Sequence, residues 1–340
     1  MEPIFIVAEI GCNHNGDPSL AKKMVDEAKK CGVDAVKFQT FQAEALISSI
    51  APKAEYQIAN TGNRESQLEM TRKLELSQND YLYLKNYAEK IGLNVFSTPF
   101  DLTSIEFLEK TKQYIWKIPS GEITNLPYLE KIRDINCLNK KIVLSTGMAD
   151  IQEIREAINI LDPTRNKIIL LHCNTEYPTP DSDVNISAIL DFRQNFQDLD
   201  IGYSDHSVGS VAAIMAVSYG ISFIEKHFTL DKDYPGPDHK ASATPQELKH
   251  LVQSVRRAEK MLGIGKKIVT QSEQKNSVVA RKSIIAAKLI KKGDVFSLEN
   301  ITCKRPGNGI SPMHWYELLG KKAKNDYQYD ELIDKNELSF

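Results

Sequence analysis

Short apolar runs rich in β-branched residues alternate along most of the chain with longer segments of helical periodicity. This alternation is typical of parallel strands covered by helices. Eight strands are predicted, at residues 4–11, 34–40, 93–100, 114–120, 141–147, 167–173, 200–206 and 223–229. Helical patterns occupy the intervening segments, among them residues 19–31, 78–91, 151–161 and 211–219, and a further one covers residues 244–262. Eight strand-helix units predict an α/β fold, a (β/α)8 TIM barrel with its active site at the carboxyl ends of the strands.

The pattern changes after Gly263. Residues 266–275 are polar and basic, and residues 277–340 show short strand-like runs with one late helical piece at residues 313–320. A β-rich module of about 60 residues is only marginally stable by itself and gains stability by docking. We therefore predict a barrel domain over residues 1–265, a linker over residues 266–282 and a small β-rich domain over residues 283–340.

Charge and hydropathy exclude several classes of partner. The formal charge is −2, with acidic and basic residues interspersed, so the chain has no long-range field that would attract nucleic acid or an anionic membrane. No window approaches the 18 or so apolar residues of a membrane span, and the N-terminal residues enter a strand pattern without the features of a signal peptide. We expect a cytoplasmic protein.

The five cysteines are odd in number and lack paired spacing, which favours reduced thiols over a disulfide framework. Cys12 and Cys173 lie near strand ends, but no histidine partner is implied for either, so a nucleophilic role is disfavoured against a structural one.

Polar residues stand at the carboxyl end of every predicted strand. A solvated loop face would also be polar, yet it would seldom place Lys, Glu and His within the last residues of apolar strands, where burial must be compensated. Because side chains alternate along a strand, three pairs are expected to face the lumen. These pairs are Lys37 with Gln39, Ser204 with His206, and Glu225 with His227.

His206 and His227 each close an apolar run and are 21 residues apart, which is one strand-helix-strand step. Two imidazoles at the ends of neighbouring strands, with the carboxylates Asp205, Glu225 and Asp238 nearby, form a candidate site for a divalent metal. Taken alone, a histidine at a strand end is more often structural. The long loop over residues 41–76 has the length of a lid or interface element, but its residues identify no ligand.

Ten motifs, in order along the chain, carry a resemblance to a known family. They read AEIGCNHNG, VKFQTF, STPFD, KIPSGEITNLPYLEKI, STGM, LHCNTEYPTP, GYSDHSVG, EKHFTLD, GPDHKAS and KRPGNGISPM. They resemble the bacterial sialic acid (N-acetylneuraminate) synthases over essentially the whole chain. The resemblance implies a TIM barrel followed by an antifreeze-like (SAF, β-clip) domain, in a domain-swapped homodimer whose small domain caps the partner's barrel. It also implies a transferase that condenses phosphoenolpyruvate with N-acetylmannosamine.

The resemblance assigns roles by position in the motifs. His206 and His227 would hold a divalent metal, Mn2+ in preference to Mg2+, and Glu9 and Glu122 match the active-site carboxylates. Phosphoenolpyruvate would be bound by Lys37, Lys117, Thr98, Ser120, Ser145 and Ser204. The sugar would contact Gln39, Tyr177, Asp238 and, across the dimer, Arg305. The order Asn174-Thr175 after Cys173 departs from that of some members, so the assignment of Thr175 to phosphate rests on position alone.

Three alternatives stay open. Close relatives make legionaminic or pseudaminic acids from 6-deoxy, diacetamido sugars such as 2,4-diacetamido-2,4,6-trideoxymannose, and the contacts that would discriminate these sugars are not visible in the sequence. A Schiff-base pyruvate aldolase would use a strand-end lysine such as Lys117. A non-catalytic sugar-binding scaffold would need none of the charged strand-end residues.

Overall fold

The computed structural model describes residues 2–62 and 64–338. Met1, Asn63, Ser339 and Phe340, which belong to the predicted domains and to the long loop, lie outside the described residues. The chain divides into two compact units, Met1–Gly263 and Ile264–Phe340.

The larger unit is a parallel β/α barrel, which confirms the predicted fold. Over residues 2–62 and 64–263 its strands, each within two residues of its predicted ends, are β1 Phe5–Gly11, β2 Ala35–Thr40, β3 Asn94–Pro99, β4 Ile115–Ile118, β5 Lys141–Ser145, β6 Lys167–His172, β7 Asp200–Asp205 and β8 Phe223–His227. Hydrogen-bonded neighbours follow the order β3-β2-β1-β8-β7-β6-β5-β4.

The seam of the barrel lies between β3 and β4, the two ends of that order. There the buried side chain of Gln113 supplies hydrogen bonds that a neighbouring strand would otherwise make with β3. Its amide oxygen accepts from the Ser97 N–H at 2.7 Å, and its amide nitrogen donates to the Ser97 carbonyl at 2.9 Å. A side-chain amide presents the same donor and acceptor as a peptide, so the backbone of β3 stays satisfied at the seam.

Helices cover the outside of the barrel and continue into the second unit. In the described part of the chain they are α1 Pro18–Cys31, α2 Ala43–Leu46, α3 Glu55–Thr61, α4 Gln67–Arg72, α5 Gln78–Lys90, α6 Leu102–Lys110, α7 Leu126–Asp134, α8 Ile151–Leu161, α9 Ala188–Asn195, α10 Val211–Ser218, α11 Pro245–Met261, α12 Gln271–Ala280 and α13 Trp315–Leu318. Several begin with the expected caps: the Asp150 carboxylate accepts from the Glu153 N–H, and Thr244 and Glu247 form a capping box.

None of the helices in residues 2–62 and 64–338 combines the length and the apolar character that a membrane span needs.

Along six of the strands, β1 to β5 and β8, the inward-facing positions change from apolar to polar. The lower lumen is filled by an apolar cluster, Val7, Ala35, Phe96, Ile115, Val143, Ile169, Leu171 and Phe223. Two residues further along, the same faces carry Glu9, Lys37, Thr98, Lys117, Ser145 and Glu225. The apolar layer closes the floor of the barrel, and polar groups are therefore confined to the carboxyl-end rim.

The smaller unit has its own core around a two-stranded antiparallel sheet, β9 Ser283–Ala286 and β10 Ile301–Lys304. Ile284, Ile290 and Phe296 are fully buried members of that core. The segment predicted as a linker contains helix α12, which begins with a capping box of Thr270 and Glu273.

Candidate active site

The strand register brings the polar rim residues level with one another. β1 pairs with β2 and β8 so that Glu9 lies beside Lys37 on one side and His227 on the other. β7 pairs with β8 so that Ser204 lies beside Glu225. Together with their neighbours of like parity they line one small cavity of 170 Å3 at the carboxyl end of the barrel. We call it the inner cavity, and its polar residues are Glu9, Lys37, Gln39, Lys117, Ser120, Ser145, Thr175, Tyr177, Ser204, His206, Glu225 and His227.

Two lysines and two glutamates form a buried ion-pair cluster in this cavity. Lys37 Nζ lies 3.0 Å from Glu9 Oε1 and 3.6 Å from Glu225 Oε1. Lys117 Nζ lies 3.1 Å from the same Glu225 oxygen. The other carboxylate oxygen of each glutamate has no hydrogen-bond partner within residues 2–62 and 64–338. An acceptor left unpaired in a buried site is costly, so these two oxygens are available to a ligand or to water.

Burial and neighbouring charges move the pKa values of this cluster in opposite directions. Burial, reinforced by the nearby Glu225, raises the pKa of Glu9 against the opposing charge of Lys37. Burial also opposes ionisation of Glu225, but Lys117 and Lys37 outweigh it and lower the pKa of that carboxyl. The pKa of Lys117 is lowered by burial and by the charge of Lys37 against the pull of Glu225. The cluster therefore combines a charged carboxylate, Glu225, with a carboxyl whose proton is more tightly held, Glu9.

The two predicted metal-binding histidines face each other across the inner cavity, with ring centroids 5.2 Å apart. His206 Nδ1 is hydrogen-bonded to the Asn174 carbonyl, which places the proton on that nitrogen and turns Nε2 toward the cavity. His227 Nδ1 is buried and has no hydrogen-bond partner among the described residues; its nearest carboxylate oxygen, Asp238 Oδ2, is 3.9 Å away. Burial lowers the pKa of both imidazoles, to about 4 for His206, which favours the neutral form that binds metals.

These observations fit a divalent metal held by two imidazoles. An unpaired buried imidazole nitrogen and a neutral neighbour oriented by a backbone carbonyl are the donor set that such a site requires. Within the described residues, no group of three or more His, Cys, Asp or Glu side chains is arranged to hold a metal by itself. The other ligands of such a metal would have to be water or substrate oxygen atoms.

The predicted hydroxyl residues differ in where they lie. Ser204 donates to Glu225 Oε1 at 3.2 Å, and Ser120 Oγ accepts from the Gly147 N–H at 3.0 Å. A Cβ on Gly147 would lie 2.6 Å from Thr175 Cγ2 and 2.9 Å from Ser120 Oγ, so the glycine makes room for both side chains. Thr98 is fully buried and does not line the cavity; its hydroxyl accepts from Lys37 Nζ at 2.9 Å and holds that ammonium in place.

A second, larger cavity of 440 Å3 adjoins the inner one, and we call it the outer cavity. Residues that line both are Gln39, Phe100, Gly121, Tyr177 and His227. Asp238 and Glu122, which were predicted for the sugar and for catalysis, line only the outer cavity. Glu122 is half-buried and accepts from Asn125 at 2.6 Å.

Tyr177 joins the two cavities. Its ring stacks on His206 at 4.1 Å between centroids, and its hydroxyl lies 3.2 Å from His206 Nε2. On its other side Tyr56, from α3 in the long loop, stacks at 5.2 Å. The loop is thereby tied directly to the residue that contacts the predicted metal ligand.

One sequence expectation is corrected by a side-chain direction. Asp205 was placed among the carboxylates near the metal, but its side chain is turned out of the lumen and pairs with Lys226 at 3.0 Å, because it alternates with Ser204 and His206. Glu225 was also placed there; it lines the inner cavity together with both histidines, and its carboxylate contacts the two lysines. The thiol of Cys12 donates to Asp238 Oδ2 at 3.6 Å, and burial raises its pKa well above the usual value, so it is not poised as a nucleophile.

Other functional candidates were not assigned from the sequence. Glu225 was named only as a carboxylate near the candidate metal, and its contact with the two lysines was not predicted. Tyr56 carried no signal, because its place depends on how the long loop folds back.

Arg305, which the sequence assigned to the sugar, lies in the smaller unit, where its Nε donates to the Ala280 carbonyl at 3.1 Å.

Comparisons with known proteins identify the family of this chain and its two domains. The NeuB family model matches residues 24–267, and the SAF domain model matches residues 281–339. An N,N'-diacetyllegionaminic acid synthase of Campylobacter jejuni subsp. jejuni is 52% identical over 98% of this chain and 99% of that protein. A protein of the same name from Legionella pneumophila is 44% identical over 94% and 90%.

A solved structure gives the same result for the fold. The crystal structure of an N-acetylneuraminic acid synthetase from Leptospira borgpetersenii, in complex with citrate, superposes with a TM-score of 0.71 at 35% identity, covering 81% of this chain and 90% of that one. The whole-length matches and the family model together show that this chain belongs to the NeuB family of sugar-acid synthases and carries a SAF domain.

Proposed function

We propose that this protein condenses phosphoenolpyruvate with 2,4-diacetamido-2,4,6-trideoxymannose to form N,N'-diacetyllegionaminic acid and phosphate. The observation that carries the choice of sugar is the 52% identity, over nearly the full length of both chains, to a protein named for that product. The solved sialic acid synthetase is less similar, at 35% identity. The main expectation from the sequence, N-acetylneuraminate synthesis from N-acetylmannosamine, is therefore the second candidate.

Phosphoenolpyruvate is assigned to the inner cavity. Its carboxylate and phosphate require cations that are already desolvated, and Lys37 and Lys117 are both buried there. Ser120, Ser145, Thr175 and Ser204 line the same cavity and supply hydroxyl donors. The shared Glu225 holds both ammonium groups in position before the substrate arrives.

A divalent metal, Mn2+ or Mg2+, is assigned to His206 and His227. When bound, it would act as a Lewis acid toward the sugar aldehyde. His227 lines both cavities and His206 lies beside it in the inner one, so an aldehyde bound at this point would face the enol carbon of phosphoenolpyruvate. Tyr177 and Gln39 line both cavities at this junction and would orient the first carbons of the sugar.

The chemistry forms a carbon–carbon bond and a carbon–oxygen bond from water, and it breaks the carbon–oxygen bond to phosphate. The enol carbon attacks the aldehyde carbon, and the aldehyde oxygen takes up a proton to become a hydroxyl. Water adds to C2 of the former enol and gives up one proton, and the tetrahedral intermediate then expels phosphate and releases its hydroxyl proton to leave a 2-keto acid. Glu9 lines the inner cavity and would take the proton of that water. The negative charge of Glu225 would stabilise the positive charge that develops at C2. Glu122 lines only the outer cavity and is assigned to sugar binding.

The test is phosphate release from phosphoenolpyruvate with Mn2+ present, measured in parallel with the two sugars. A higher kcat/KM for the diacetamido sugar is expected. A higher value for N-acetylmannosamine would replace the proposed sugar by the second candidate, with the inner cavity unchanged.

The lowered pKa of Lys117 is the observation that favours a Schiff-base pyruvate aldolase as a rival, because an uncharged amine is the nucleophile in that chemistry. Borohydride reduction in the presence of pyruvate separates the two. A covalent adduct on Lys117 would contradict the synthase proposal, and we expect none.

The assembly proposed from the motif resemblance is a domain-swapped homodimer in which Arg305 of one subunit closes the site of the other. Mixing an Arg305→Ala variant with a His227→Ala variant tests this: one site of the mixed dimer has both residues, so activity should return. Mixtures that stay inactive after subunit exchange would rule out a contribution in trans.

A further inference from the structure

The loop over residues 41–76 has no role in the chemistry assigned above, yet it forms most of one wall of the outer cavity. Beyond the aromatic residues Phe41 and Tyr56, its cavity-lining apolar side chains are Leu46, Ile47, Ala51, Met70 and Leu74. They come from α2, from the segment that joins α2 to α3, from α4 and from the residues just after α4. We call these five residues the loop wall.

The loop that carries this wall is attached to the barrel. The Asn60 amide donates to the Pro237 carbonyl at 2.6 Å, Tyr56 stacks on Tyr177, and the Gln42 N–H donates to Asp101 Oδ2 at 3.0 Å. Within the loop, the Ala43 N–H donates to Glu75 Oε1 at 2.5 Å and ties its start to its end. These contacts fix both the start and the middle of the loop, so its apolar face is preformed beside the site.

The position of this wall determines which part of the sugar meets it. The aldehyde carbon must reach the inner cavity, where the lysines bind phosphoenolpyruvate, and that cavity has only 170 Å3. The remaining carbons of an open-chain hexosamine extend past Gln39, Tyr177 and His227 into the outer cavity. The end that carries C4 to C6 therefore lies against the loop wall.

The chemistry of the wall matches one class of substituent. Apolar side chains cannot replace the hydrogen bonds that the C4 and C6 hydroxyl groups of N-acetylmannosamine make with water. The burial of a methyl group against them is favourable. Polar side chains of the same loop, Ser48, Gln57, Gln67 and Thr71, also line the cavity. The side-chain amide of Gln67, at the start of α4, makes no hydrogen bond within the described part of the chain and is free for a substrate amide. A 6-deoxy sugar with an acetamido group at C4 presents two methyl groups and one amide.

We propose that the loop wall is the specificity-determining subsite of this enzyme, and that it selects hexosamines with methyl-bearing substituents at C4 and C6. This inference rests on the proposed function, because it assumes that the sugar aldehyde enters the inner cavity. Ile47 is the residue best suited to test it, because it lines the cavity from an extended backbone position that other side chains readily adopt.

The experiment compares Ile47→Asn with Ile50→Asn. Ile50 belongs to the same loop, is 89% exposed and does not line the outer cavity, so it is a matched control for the change in polarity. We expect Ile47→Asn to lower kcat/KM for the diacetamido sugar ~10-fold, the effect of one apolar contact in a pocket, and to change kcat/KM for N-acetylmannosamine less than ~2-fold. Ile50→Asn should leave both unchanged.

An equal loss for both sugars in Ile47→Asn, or the same loss in Ile50→Asn, would overturn the subsite. A binding measurement separates this failure from failure of the proposed function. Saturation-transfer NMR with the diacetamido sugar, without phosphoenolpyruvate, reports which sugar protons contact the protein. If the unsubstituted enzyme releases no phosphate with either sugar, the proposed function fails. The saturation-transfer signals of the sugar methyl groups then test the subsite. Loss of these signals in Ile47→Asn alone supports it, and equal signals in the unsubstituted enzyme, Ile47→Asn and Ile50→Asn refute it.

Discussion

The inner and outer cavities are built in different ways, although Tyr177 and His227 belong to both. The inner cavity is lined chiefly by residues at the ends of barrel strands, where the register leaves each side chain little choice of neighbour. The outer cavity is lined largely by one insertion, residues 41–76, whose short helices are attached to the barrel by a few contacts. The first carries paired charges, and the second combines the apolar loop wall with polar side chains such as Gln67 and Asp238.

This difference separates the reaction from the choice of substrate. Charged groups in the inner cavity are buried and paired, so a change there leaves a partner unpaired and is costly. In the loop wall, Met70 and Leu74 are buried, whereas Ile47 is partly exposed and can be exchanged without disturbing the barrel. A family with this architecture can keep one reaction while changing the sugar it accepts.

His227→Ala removes an inner-cavity group and should have the largest effect. We expect kcat to fall ~1,000-fold, the scale of several kcal/mol of charge stabilisation at the aldehyde, and Mn2+ binding measured by calorimetry to be lost. His172→Ala is the control. His172 also ends a barrel strand, but its Nε2 contacts the Val184 carbonyl at 2.8 Å and its ring packs on Phe192, outside the lumen. Unchanged Mn2+ binding in His227→Ala would contradict the metal assignment.

Glu9→Gln and Glu122→Gln compare a carboxyl of the inner cavity with one of the outer cavity. We expect Glu9→Gln to lower kcat ~100-fold, within the range for loss of an acid-base group. Glu122→Gln should change kcat less than ~10-fold and act mainly on KM for the sugar, because the amide keeps the size of the side chain in a binding role. The reverse order of effects would move the proton-transfer role to Glu122 and break the division between the cavities.

Tyr56→Ala and Tyr56→Phe test how the two cavities are joined. Tyr56→Ala loses the stack on Tyr177 and should raise KM for the sugar ~5-fold, which corresponds to the free energy of one aromatic pair. KM for phosphoenolpyruvate should stay constant. Tyr56→Phe keeps the ring and should behave as the unsubstituted enzyme. A large fall in kcat for Tyr56→Phe would mean that the hydroxyl itself takes part in the reaction.

The sequence alone determined the barrel and the rim. Strand and helix periodicity is a local property, so each predicted strand lies within two residues of its observed ends. Parity along a strand is equally local, which is why the pairs Lys37 with Gln39 and Glu225 with His227 were predicted on the correct faces. The same rule, applied to Asp205, would have turned it away from Ser204 and His206; instead it was grouped with them because it is adjacent in sequence.

Tertiary structure decided which groups meet. Glu225 became the shared partner of two lysines only because β2 and β4 bring Lys37 and Lys117 to the same point in the lumen, and the corresponding separations in sequence are 188 and 108 residues. The loop wall likewise depends on contacts between residues far apart in the chain, such as Asn60 with Pro237. Local patterns determine the direction of a side chain, whereas distances between strands and the folding of an insertion depend on packing of the whole barrel, which no short stretch of sequence encodes.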